Sequence, residues 1–211
     1  ARSLLDDSST SAMRTTLGIA DATRPLIHPG YATRWYWMHR FALAAGNNIG
    51  SATIRFTPFI LEQAVTVSDL GTRITTASAG GNIQLAIYAA GADYKPTGNA
   101  LAVTGNISTT STGNVTADIT GSDVALPAGL YYAALNTDNG TVVTLGAAIA
   151  TPNAGHLIGA SSSSTISASA TNQSLTFYYA STFGTWPDVT SGATETNQPD
   201  IAIFFKVSSV P

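Results

Sequence analysis

Ile83-Gln84-Leu85-Ala86-Ile87-Tyr88-Ala89 decides the fold. Ile83, Leu85 and Ile87 recur with a period of two, whereas a helix would bring apolar residues back three and four positions apart. The same alternation returns at Val65 and Val67 and extends less regularly to Leu70. Working outward, strands are expected at residues 33–41, 52–61, 64–76, 82–89, 100–104, 114–119, 130–137, 141–145, 174–179 and 201–207. Asp138-Asn139-Gly140 separates two of them, and Asn-Gly accepts the positive φ of a type I′ turn, so a hairpin is expected there. Ala79-Gly80-Gly81-Asn82 reads as hairpin chemistry as well. Pro58 has no N–H to give to a ladder and is expected at an edge or a bulge. This spacing of short strands and turns predicts an all-β fold, an antiparallel jelly-roll-like β-sandwich. Its last strand, at 201–207, would tie the C-terminal end into a sheet.

The composition fits one such domain. The chain has 211 residues, 44% of them hydrophobic and 10% charged, against roughly 25% charged in an average soluble domain. Thr, Ser, Asn and Gly carry the solvation instead, as is common where chains pack side by side, so an oligomer is expected. A net charge of −3 with 9 Lys and Arg gives no basic patch for phosphate, and no nucleic-acid partner is expected. Without cysteine there is no disulfide framework, no thiolate nucleophile and no Cys-based metal site. No apolar run approaches the roughly 20 residues that cross a bilayer, so no membrane insertion is expected. The opening Ala1-Arg2-Ser3-Leu4-Leu5-Asp6-Asp7 lacks the pattern of a signal peptide, and it lacks an initiator Met. The chain is expected to be a processed product or a piece of something longer, with partners upstream.

The first eighteen residues have a different character. Asp6, Asp7 and Ser8 suit a helix N-cap, Met13 and Leu17 share a face at i, i+4, and Gly18 suits the C′ position. A helix of about ten residues is too short to stand alone in water. It caps its own domain, or it packs as a neck against copies of itself. With the linker around Pro25 and Pro29, residues 1–30 form a helical neck or connector, and residues 31–211 form the β-sandwich head. In the stretch Trp35-Tyr36-Trp37-Met38-His39-Arg40-Phe41 neither alternating face is plainly polar, so both faces are expected to be covered. Leu5, Met13, Leu17, Trp35 and Trp37 are the candidate oligomer interface. The Ser/Thr/Ala tract at 161–174 reads as a long loop or mobile edge.

Chemistry-bearing motifs are sparse. His28, His39 and His156 have no ligand-like spacing, and no Gly-x-Ser-x-Gly elbow occurs. No metal, cofactor or catalytic residue is expected. Asp69, Asp93, Asp118, Asp123, Asp138 and Asp188 are mostly expected at turns, where an Asp carboxylate caps its own backbone. The feature best suited to binding is Phe183-Gly184-Thr185-Trp186-Pro187-Asp188, because a Trp beside Pro in a loop exposes apolar surface unless something covers it. The apolar face of a pyranose lies well on an indole while neighbouring carboxylates take its hydroxyls. Tyr94 beside Asp93 in the loop 91–98 can serve likewise. Trp186, Asp188, Tyr94 and Asp93 are therefore the candidate glycan-binding residues, with packing in a core or interface the competing role for Trp186.

Two segments resemble bacteriophage tail-fibre and related virion structural proteins. Arg2-Ser3-Leu4-Leu5-Asp6-Asp7 through Ala12-Met13-Arg14 to Leu17-Gly18 resembles the short helical connector that precedes globular heads in such fibres. Phe59, the stretch 65–76, Ile83 to Ala89 and Leu126-Pro127-Ala128-Gly129-Leu130-Tyr131-Tyr132-Ala133-Ala134-Leu135 resemble the β-sandwich of prophage structural proteins. The resemblance implies a homotrimeric fibre or spike at the virion surface, assembled in the host cytoplasm. It implies upstream virion proteins and bacterial surface polysaccharide as partners, and it transfers no catalytic residue. Three rivals stay open: a purely structural virion part such as a head decoration, collar or shaft domain; a polysaccharide-cleaving tailspike with paired carboxylates; and a carbohydrate-binding module of a secreted enzyme.

Overall fold

The computed structural model describes residues 30–38, 43–139, 144–148, 176–196 and 201–211. Their strands are β1 (Trp35–Trp37), β2 (Leu43–Asn47), β3 (Thr53–Leu61), β4 (Val65–Thr76), β5 (Asn82–Ala90), β6 (Pro96–Val103), β7 (Ile107–Ser108), β8 (Gly113–Asp118), β9 (Val124–Leu126), β10 (Gly129–Thr137), β11 (Thr144–Ala148), β12 (Thr176–Ala180), β13 (Thr194–Thr196) and β14 (Ile203–Ser209). They form two seven-stranded antiparallel sheets. The first runs β1-β14-β4-β11-β2, with β8 and β9 also paired to β4; the second runs β13-β12-β3-β10-β5-β6, with β7 also paired to β5. β4 is long enough to hold β14 and β11 along one flank and β9 and β8 along the other.

The inward faces of the two sheets share one apolar core, a sandwich-like arrangement. Val65, Val67, Leu70, Ile74, Phe205 and Val207 of the first sheet belong to the same cluster as Phe59, Leu61, Ile83, Leu85, Ile87, Tyr131 and Leu135 of the second. Ile83, Leu85 and Ile87 are fully buried, as their alternation requires. In β4 the spacing from Val67 to Leu70 is three residues rather than two. The β4–β14 register slips between Lys206 and Val207, and this bulge returns Leu70 to the core side. The expectation that the C-terminal strand is tied into a sheet holds, since β14 lies between β1 and β4.

Both expected hairpins are corrected. β10 and β11 flank Asp138-Asn139-Gly140 but lie in different sheets, because β3 and β5 already occupy the two flanks of β10. Asp138 instead accepts from the backbone N–H of Asn82 at 2.7 Å and from its Nδ2 at 3.1 Å, which pins the corner where the chain leaves the second sheet. β4 and β5, on either side of Gly80, also lie in different sheets. Pro58 falls in β3, an interior strand, yet among the described residues the β12 ladder ends at Phe56, so at Pro58 only β10 is paired. The expected strand at 33–41 is described only as the three-residue β1. Asp69 and Asp118 lie on strands rather than turns, in β4 and β8. The strands β2, β7, β9 and β13 were not expected. The neck with Leu5, Met13 and Leu17, the three histidines and the tract 161–174 lie outside the described residues.

Candidate functional site

The outer face of the second sheet is built from even-numbered residues along β3, β5 and β10, and it is not polar. Ile54 and Phe56 of β3, Ala86 and Tyr88 of β5, Tyr132 and Ala134 of β10 and Phe177 of β12 form a second buried cluster. Short alanines beside rings leave room for a cover, and residues 181–193 supply it. Val189 is buried in this cluster, and Trp186 and Ala193 pack against it. Backbone bonds fasten the cover: Val189 N–H donates to Gly98 O at 3.0 Å, and Gly98 N–H donates to Thr190 Oγ1 at 3.2 Å.

Tyr88 and Tyr132 are register partners on β5 and β10, so their rings stand side by side on this face. Each hydroxyl reaches a different loop. Tyr88 Oη donates to Pro187 O at 3.0 Å, and Tyr132 Oη donates to Tyr94 O. Burial, with the charge of Asp188 near Tyr88 and of Asp93 near Tyr132, raises both phenols well above their ordinary value, so both remain donors at any physiological pH. The two loops singled out in the sequence are thereby anchored on adjacent residues of one sheet.

On this platform Tyr94 is 60% exposed and has φ +61°, the left-handed region that a non-glycine side chain enters at a cost. Its turn is closed by Gly91 N–H donating to Lys95 O at 2.8 Å and by Lys95 N–H donating to Asp93 Oδ1 at 3.2 Å. Asp188 accepts from Thr190 N–H at 2.8 Å and Thr190 Oγ1 at 2.6 Å, bonds that hold its carboxyl below the ordinary value. Asp93 and Asp188 thus do the turn chemistry expected of them. Trp186 is half-buried: its indole N–H donates to Gln84 Oε1 at 3.0 Å, and its ring lies 6.4 Å from Tyr88.

A second region, on the outer face of the first sheet, was not foreseen. Trp35, Lys206, Asp69 and Asp118 are successive register partners across β1, β14, β4 and β8, forming one row. Lys206 Nζ stands 3.2 Å from Asp69 Oδ2 and 6.0 Å from the centre of the Trp35 ring. The row borders a cleft of about 480 Å³ that includes Ser68, Asp123, Ser122 and Ser208. Burial pushes the Asp69 carboxyl up, but hydrogen bonds from Ser68, Asp118 and Lys206 and the lysine charge outweigh it and hold it low. Asp118, hydrogen-bonded to Asp69 and facing its charge, is pushed above the ordinary value. Carboxylate types and numbers alone could not reveal this pair, because it depends on the β4–β8 register.

Of the expected interface residues within the described part, Trp35 is 40% exposed on an edge strand and packs edge-on against Phe204 at 5.4 Å. Its face of the strand is therefore only partly covered. The Trp37 backbone pairs with Phe204. Compared with known proteins, the chain matches no family model and no curated relative.

Proposed function

We propose that this chain is a virion fibre or spike domain that attaches to bacterial surface glycan without cleaving it, working as a homotrimer on the particle surface. The observation that carries the reading is the convergence of the Tyr94 and Trp186 loops on the adjacent Tyr88 and Tyr132. It brings an exposed aromatic ring and the carboxylates Asp93 and Asp188 to one face. A sugar stacked on Tyr94 would find acceptors beside it. Within this reading the two sheets are a jelly roll, consistent with the chain's repeated crossings between the sheets, among them those after β3, β4, β7, β9 and β10.

The half-burial of Trp186 favours a second reading, a purely structural virion domain in which residues 181–193 only close the fold. Tyr94→Gly separates the two. Glycine accepts φ +61° without strain, so the variant keeps or gains stability while losing the ring. Glycan attachment predicts that purified chain binds at least one bacterial surface polysaccharide in an immobilised panel, and that Tyr94→Gly loses it with no fall in melting temperature. Binding by neither protein leaves the structural reading standing.

A further inference from the structure

The hydrogen bonds of the platform bear on which glycans it would take, a selectivity that rests on the attachment reading. Nearly every donor there is already spent inside the protein. The Trp186 indole N–H goes to Gln84, the Tyr88 hydroxyl to Pro187 O, and the Tyr132 hydroxyl to Tyr94 O. Thr190 gives both its N–H and its hydroxyl to Asp188 Oδ1, and Lys95 gives its N–H to Asp93 Oδ1. The acceptors are not spent. Each aspartate uses Oδ1 in its own turn, and no hydrogen bond among the described residues engages Oδ2 of either one. Asp188 is held ionised by its turn, while the Lys95 ammonium and the Tyr94 hydroxyl are the remaining side-chain donors of the 91–95 turn.

We infer that the platform selects glycans that arrive with donors, namely neutral or amine-bearing hexoses, and discriminates against uronate, sialyl or phosphoryl sugars. A vicinal diol or an ammonium group satisfies a carboxylate Oδ2. An anionic substituent meets two like charges opposed by a single lysine. At contact distance in high dielectric each like-charge encounter costs on the order of 1 kcal/mol, so two together shift affinity by up to roughly thirtyfold before the opposing lysine takes part of it back. The discrimination has to shrink with salt, because the groups are exposed.

The test is NMR titration of the intact chain, following Tyr94 and Trp186 signals, with three soluble probes: glucosamine oligomers, N-acetylglucosamine oligomers and galacturonate oligomers, each at about 50 mM and 500 mM salt. The expected result is binding of the amine and neutral probes about tenfold or more tighter than galacturonate at low salt, with the gap closing at high salt. Asp93→Asn with Asp188→Asn keeps both turns, since Asn caps its own backbone as Asp does. That double variant should raise galacturonate affinity and lower the preference for amine. Galacturonate binding as tight as the neutral probe, or a double variant with unchanged selectivity, overturns the inference while leaving glycan binding intact. Silence of Tyr94 and Trp186 toward all three probes, together with no binding in the polysaccharide panel, overturns the attachment reading itself.

Discussion

Gly71 and Tyr132 show how single positions hold the two outer faces. On the first sheet Gly71 lies opposite Phe204 in the β4–β14 register, and any Cβ at position 71 would overlap the Phe204 ring. Phe204 is consequently able to lie flat and almost fully buried, 5% exposed, beside Trp35. Gly71→Ala is expected to cost about 1–3 kcal/mol by overpacking, read as a lower urea midpoint at constant m-value. An unchanged midpoint would mean that Phe204 swings away freely and that the aromatic surface around Trp35 is not a packed unit. On the second sheet Tyr132→Phe keeps the ring in its cluster and deletes only the bond to Tyr94 O. The expected stability loss is about 1 kcal/mol. If that bond positions the Tyr94 turn, the variant also weakens glycan binding with the exposed ring untouched, and equal binding by the two proteins would limit Tyr132 to a structural part. Position 94 itself was legible as a candidate because Tyr follows Asp in a glycine-bounded loop. Its φ was not, because a left-handed tyrosine violates the local preference that sequence reasoning relies on.

At the scale of elements, legibility followed the residue types on the inward face. β5 and β4 send branched aliphatics toward the core at a period of two and could be read directly, bulge aside, although Ala86 and Tyr88 of β5 and Asp69 of β4 are buried on the opposite face as well. β10 is buried on both faces over most of its length, since residues 181–193 help cover its outer side, and its Tyr-Tyr-Ala-Ala-Leu run therefore shows no alternation. The hairpin expected after it failed for a related reason: turn chemistry reports that the chain bends, not which flank is vacant. The short strands β7, β9 and β13 exist only as partners of longer ones and carry no periodicity of their own. β8 gives the pH prediction of this fold. Asp118 has a raised folded pKa, so its contribution is present at low pH and is lost as pH rises through that value. Asp69 has a depressed folded pKa, so its contribution is present above the ordinary carboxylate value and is lost as pH falls through its folded one. The β4–β8 ladder should therefore be firmest near about pH 4 and loosen toward neutrality, contrary to the usual acid sensitivity of carboxylates. Hydrogen exchange of residues 113–118, corrected for intrinsic rates, should show protection falling as the pH rises above the ordinary carboxylate value. Asp118→Asn should flatten that limb, while protection that rises with pH would reject the charge of Asp69 as the cause of the Asp118 shift.

For the whole molecule, weak glycan sites become useful only in number. An exposed platform built on one aromatic ring and two carboxylate oxygens offers few contacts, and under the attachment reading linking several such sites would raise effective concentration enough to gain a factor of about 10²–10⁴. The homotrimer expected from the resemblance would supply that multiplication. Two candidate bases for it can be separated: the neck expected at residues 1–30, and the edge strand β1 with Trp35 40% exposed. A protein with only 10% charged residues has little charge repulsion to keep copies apart. Light scattering of the intact chain is expected to give three times the monomer mass of 21.7 kDa. A chain lacking residues 1–24 should fall to monomer if the neck alone assembles it, and should remain trimeric, with Trp35→Ser dissociating it, if β1 carries the contact. Trp35 is the better probe of the second case, because its half-exposed ring can be replaced without opening the core between the sheets. A monomer at every concentration would remove trimer avidity from the proposed attachment and leave each platform to bind on its own contacts.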